Sequence, residues 1–76
     1  MNALIAAIEK NSLDAIRIAL IEYKGKQYVD IRTYTQVDRE PEPIPTKKGL
    51  TIAPALLPEL IAALQQAHQQ LGGDHG

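Results

Sequence analysis

Apolar and polar residues alternate along two runs on either side of Lys24-Gly25. Alternation with period two marks strands that bury one face, and the glycine supplies the positive φ that a tight hairpin turn needs. The pattern predicts strands over 15–23 and 26–35. A two-residue loop then sets Tyr23 opposite Lys26, Ile21 opposite Tyr28, Leu20 opposite Val29, Ala19 opposite Asp30, Ile18 opposite Ile31 and Arg17 opposite Arg32. Ile18, Leu20, Val29 and Ile31 share one face. Arg17, Tyr23, Lys26, Tyr28, Asp30, Arg32 and Tyr34 fall mostly on the other. Slipping the register by one residue would mix the two sets.

The flanking segments extend this hairpin into a sheet. Met1 to Asn11 is readable as helix through its alanines or as strand through pairing with the hairpin; a strand around 5–9 is the reading adopted. Asn11 to Asp14 supplies turn formers. Gln36 to Pro45 carries three prolines and four charged residues, which reads as an exposed loop at a sheet edge. Thr46 to Ile52 reads as a short fourth strand, with Leu50 and Ile52 on one face and Gly49 marking a bulge or a close backbone approach. Adjacent Lys47 and Lys48 point to opposite faces of a regular strand. As edge protection against aggregation they need no ligand.

A helix follows from Pro54 to about Leu71. Proline suits the first helical position, Ala53 cannot cap, and Pro58 moves the start of regular helix to about Leu57. Leu57, Leu60, Ile61, Leu64, Ala67 and Leu71 recur with the 3.6-residue period. Gly72-Gly73 ends the helix, and residues 72–76 form a short disordered tail. The fold class is therefore α+β, four antiparallel strands followed by one C-terminal helix, in a single domain over 1–71. The helix stripe is wider than so small a sheet can cover. A homodimer with Leu57, Leu60, Ile61 and Leu64 at its interface is the expectation.

Composition narrows the function. The chain has 76 residues and a formal charge of −1, so nucleic-acid binding would need a local arrangement of cations. Cysteine is absent, which excludes disulfides and thiolate metal sites. The apolar N-terminal run is too short for a membrane span and lacks a basic leader, so a soluble, cytoplasmic protein is expected. No enzyme is indicated. Ser12 is the single serine, His68 and His75 lack partners at metal-ligand spacing, and Glu40 and Glu42 sit in a loop with nothing to tune them. No metal or cofactor is expected. His68 reads as a partly exposed helix residue.

What remains is the polar hairpin face. It holds all three tyrosines of a chain that has no Phe and no Trp. Rings interleaved with cations suit a single nucleic-acid strand, rings stacking on bases and cations meeting phosphates. A solvated sheet face would carry the same residue types. Arg17 opposite Arg32 is unfavourable, and either Asp30 relieves it or an anion sits between the two.

The order IEKNS, IRIALIEYKGKQYVDIRTY, PTKKGLTI and a proline-initiated helix resembles the Positive Cofactor 4 family of single-stranded DNA-binding domains, in a compact bacterial or phage form. The resemblance runs from about residue 8 to 71. It implies a curved sheet with one helix, a homodimer with paired helices, and channels for single-stranded or melted DNA with little sequence preference. By position, Tyr23 matches the family's aromatic before the turn, Lys24 and Lys26 its turn lysines, Arg32 the arginine of its DIR motif, and Lys47 and Lys48 its basic pair. Arg17 and Tyr34 join this set from the face assignment. The sequence departs from the eukaryotic pattern at Thr35, where a tryptophan would stand unless Tyr34 or Tyr28 substitutes, at Ile21 in place of an arginine, and in lacking an acidic-serine arm.

The resemblance implies a transcription cofactor or regulator with a replication or repair role, nucleoid-associated in the cytoplasm. Two alternatives stand beside it. One is a dimeric protein-interaction module contacting transcription machinery. The other is an RNA-binding protein or RNA chaperone, since stacking platforms do not read the 2′-OH.

Overall fold

The computed structural model describes residues 2–72. Four strands, β1 (Ala3–Glu9), β2 (Asp14–Tyr23), β3 (Lys26–Thr35) and β4 (Ile44–Ile52), form one antiparallel sheet in the order β1-β2-β3-β4. A single 3₁₀ turn (Pro54–Leu56) leads into helix α1 (Leu57–Gln70).

The hairpin register is the one that the alternation predicts, from Tyr23↔Lys26 to Arg17↔Arg32, and it continues to Asp14↔Thr35. Both turn residues have positive φ, 52° at Lys24 and 78° at Gly25, as a type I′ turn requires. The N-terminal segment is a strand. It runs two residues longer than expected because Ala3 and Leu4 pair with Leu20 and Ala19, with a bulge at Ile5. The β1–β2 connection is held by Asn11, whose Oδ1 accepts from the Leu13 and Asp14 amides, each at 2.9 Å.

Strand β4 corrects the expected loop boundary. It begins at Ile44, so Pro45 lies in the strand, opposite Tyr34. Pro45 is tolerated because β4 is an edge strand, where a missing N–H breaks no second ladder. Between Arg32 and Tyr34 the register shifts: β3 advances two positions while β4 takes four, from Gly49 to Pro45. Gly49 also marks a close approach. A Cβ there would collide with the Ile31 carbonyl oxygen and lie 2.8 Å from the Arg32 Cα.

As the prolines suggest, the first helical turn is 3₁₀, Ala53 makes no side-chain cap, and regular helix starts at Leu57. The 14 residues of α1 span about 21 Å. Gly72, with φ 95°, stops it, its amide donating to the Gln69 carbonyl at 3.0 Å. The rest of the expected tail lies outside the described residues.

The helix lies over the apolar sheet face without closing on it. Between them runs a wholly apolar groove of about 300 Å³, bordered by Ile5, Ile18, Leu20 and Val29 of the sheet and by Leu60 and Leu64 of α1. Val29, 5% exposed, is the one buried hydrophobic among the described residues. Ile61 and Leu64 remain 48% and 59% exposed. The chain exposes 6316 Å², whereas a closed monomer of 8.3 kDa would expose about 4,600 Å². Its radius of gyration is 14.4 Å, against about 11.4 Å for a compact chain of this length.

Candidate nucleic-acid interface

The register sends Arg17, Tyr23, Lys26, Tyr28, Asp30, Arg32 and Tyr34 to the sheet face turned away from α1. The two arginines that stand opposite each other are drawn apart by different partners. Asp30 grips the Arg32 guanidinium with both carboxylate oxygens: Nε donates to Oδ2 and Nη2 to Oδ1, each at 3.2 Å. Arg32 Nη1 also donates to the Thr46 carbonyl at 2.9 Å. Asp30 thus relieves the like-charge conflict.

Asp30 has a further partner in the Thr51 hydroxyl, which donates to Oδ1 at 3.0 Å. Thr46 in turn donates its hydroxyl to the Thr33 carbonyl at 2.8 Å. Arg32 therefore braces the β4 bulge as well as offering charge. Three of its five N–H donors are used in this way, leaving two for a ligand. Thr46 and Thr51 were not among the residues singled out from sequence. Thr51 stands opposite Asp30, so extending the hairpin register to β4 would have found it.

Arg17 takes the other route. Its Cζ lies over the Tyr34 ring, 4.4 Å from the centroid. At the hairpin tip the Lys24 ammonium lies 5.3 Å from the Tyr23 ring centroid, and Tyr23 is 62% exposed. Lys26 stands opposite Tyr23. Five of the eight expected site residues, Arg17, Tyr23, Lys26, Arg32 and Tyr34, thus share one sheet face, and Lys24 joins them at the turn.

The basic pair of β4 divides. Lys47 is exposed at the bulge. Lys48 lines a shallow groove on the helix side with Ile16, Ile31, Thr33 and Leu50, and its charge reaches Asp14. The Asp14 carboxyl is held below its ordinary pKa chiefly by the Thr35 hydroxyl, against a desolvation cost, with Asn11, Lys10 and Lys48 adding to the lowering. Lys48 is therefore not brought together with Arg17 and Tyr34. Thr35 also faces the helix side, opposite Asp14, so Tyr34 and Tyr28 do not replace a ring at that position.

Among the described residues no group of His, Asp and Glu is placed to hold a metal, and no helix is long and apolar enough to cross a membrane. His68 lies exposed in the last turn of α1, where a cation would complement the helix dipole.

The family model of Transcriptional Coactivator p15 (PC4) matches residues 10–63. The chain belongs to the PC4 family. Two crystal forms of BPSL1147, a PC4 homolog from Burkholderia pseudomallei K96243, share its fold. The tetragonal form is 37% identical with a TM-score of 0.80, covering 88% of this chain and 97% of that one. The orthorhombic form is 38% identical with a TM-score of 0.79, covering 87% and 88%. A bacteriophage T5 homolog of the eukaryotic coactivator PC4, implicated in recombination-dependent DNA replication, is 22% identical with a TM-score of 0.76 over 93% of this chain and 81% of that one. At that identity it supports the PC4 fold alone. No curated protein matches the chain. PC4 proteins form a DNA-binding family rather than an enzyme family, in keeping with the sheet face described above.

Proposed function

We propose that this PC4 protein is a homodimer that binds single-stranded or melted DNA without sequence preference, as a transcription cofactor with a role in replication or repair. One observation carries the reading. Rings and cations are paired on an open sheet face, Arg17 over Tyr34 and Lys24 near Tyr23, where unpaired bases find stacking surfaces and phosphates find charge. Arg17, Lys24, Lys26, Arg32, Lys47 and Lys48 all lie in or between β2, β3 and β4. The same strands and turn carry three acids, Asp14, Glu22 and Asp30, while Asp38, Glu40 and Glu42 lie in the β3–β4 connection. The net charge of −1 thus conceals a basic region.

The dimer is supported by the open groove. About 1,700 Å² of surface in excess of a closed monomer is more than the roughly 800 Å² each partner buries in a standard interface. Leu57, Leu60, Ile61 and Leu64 are the helix residues at that groove. DNA and these helix faces then occupy opposite sides of the sheet. A nucleoid-associated, cytoplasmic location follows from this reading.

The test is fluorescence anisotropy with labelled oligo-dT of about 20 nucleotides, a matched duplex and oligo-U, over a salt series. Four to six neutralised phosphates give a slope of log K against log salt of roughly −3 to −4. Preference for the single strand with such a slope is expected. Equal binding of oligo-U would widen the substrate to RNA, and absence of binding at low salt would refute the reading.

A further inference from the structure

Both arginines of the polar face resemble phosphate contacts, yet their surroundings differ. The Arg32 fork is spent largely within the protein, on Asp30 and the Thr46 carbonyl. Arg17 makes no hydrogen bond or ion pair among the described residues, and its guanidinium lies over the Tyr34 ring. Arg17 and Tyr34 sit on adjacent strands, since Tyr34 stands opposite Ala15 and Arg17 is two residues further along the same face. A neighbour this small leaves room for the guanidinium over the ring. Arg17 is half-buried, with the Tyr34 ring against its guanidinium.

We infer that Arg17 acts as a base-stacking surface, with the order Tyr34 ring, Arg17 guanidinium, nucleobase. The inference rests on the single-strand reading above and assigns the part Arg17 plays in it. A guanidinium is planar, delocalised and weakly hydrated, so it stacks on flat π-systems in a way an ammonium does not. The ring beneath holds the plane in place by cation–π attraction, which lowers the ordering cost of receiving a base. Only an unpaired, unstacked base can offer its face to this surface. Phosphate contacts alone serve single strand and duplex alike. The Arg17–Tyr34 pair is therefore a source of discrimination between them, on a face with no tryptophan or phenylalanine.

The experiment compares the wild-type chain with Arg17→Lys and Arg17→Ala on oligo-dT, on a strand of equal length carrying abasic sugars, and on duplex. Circular dichroism melts establish that each variant is folded. Arg17→Lys keeps the charge and removes the plane. It is expected to weaken oligo-dT binding about five- to a hundredfold, the range for losing one stacked base, with an unchanged salt slope. Its binding to the abasic strand and to duplex is expected to equal wild type. Tyr34→Leu should reproduce the loss, whereas Tyr34→Phe, which keeps the ring, should not. Wild-type affinity in Arg17→Lys, with a slope shallower by about 0.7 in Arg17→Ala, would make Arg17 a phosphate contact and overturn the inference. A wild-type chain that binds no oligo-dT would overturn the single-strand reading itself.

Discussion

The two faces of the sheet are finished to different degrees. On the face away from the helix, polar groups answer one another within one chain: Asp30 holds Arg32 and Thr51, and Tyr34 holds Arg17. On the helix side, Ile5, Leu20, Ile61 and Leu64 border an apolar groove that the chain does not fill. Directional groups can be satisfied pairwise by a few residues on neighbouring strands. Apolar burial needs area from a second layer, and a 14-residue helix supplies too little of it. The polar face is thus ordered within the chain, while the apolar face is left partly uncovered.

The comparison is broken most severely from the apolar side. Leu64→Asp or Leu60→Asp places a charge in the groove, and loss of the dimer is expected, measured by light scattering or sedimentation. A folded dimer of either variant would remove the helix stripe from the interface. Next comes Gly49, where β4 closely approaches β3. Gly49→Ala sets a methyl against the Ile31 carbonyl and the Arg32 Cα, costing on the order of 2–3 kcal/mol as a lower denaturant midpoint.

On the polar face the effects are smaller. Arg32→Ala leaves Asp30, 14% exposed in its side chain, without its bidentate partner. A loss of about 1–3 kcal/mol is expected, together with weaker oligonucleotide binding. Thr51→Val removes one donor to Asp30 at a cost of about 1 kcal/mol. Wild-type stability in both variants would show that the face does not brace itself. The smallest effect belongs to Asp14. Its folded pKa is depressed, so its contribution is complete above the unfolded value of about 3.9 and is lost as pH falls through the folded value. Acid unfolding of Asp14→Asn should lack this part of the pH dependence.

The hairpin was legible because turn chemistry and alternation agree. Lys24-Gly25 sets the loop, and one register alone sorts Ile18, Leu20, Val29 and Ile31 from the tyrosines and arginines. The helix was legible for a similar reason, since Pro54, Pro58 and Gly72 mark its ends and leucines mark its face. β4 was less so. Its bulge breaks the period of two that strand reading depends on, and this hid the pairing of Pro45 with Tyr34 and the bracing role of Thr46. The different duties of Arg17 and Arg32 were also out of reach, because they depend on side-chain partners that strand pairing alone does not specify.

The order of strands in the sheet is the order of strands in the chain. Every ladder therefore closes a short connection, the shortest being the two-residue turn at Lys24-Gly25. Local closures of this kind are fast on the folding timescale. In the proposed homodimer, the joining of two chains through their helices must wait for a collision. Refolding should then resolve into a rapid phase independent of protein concentration and a slower one that quickens with it. Newly made chains would spend that interval with their polar sheet face already assembled.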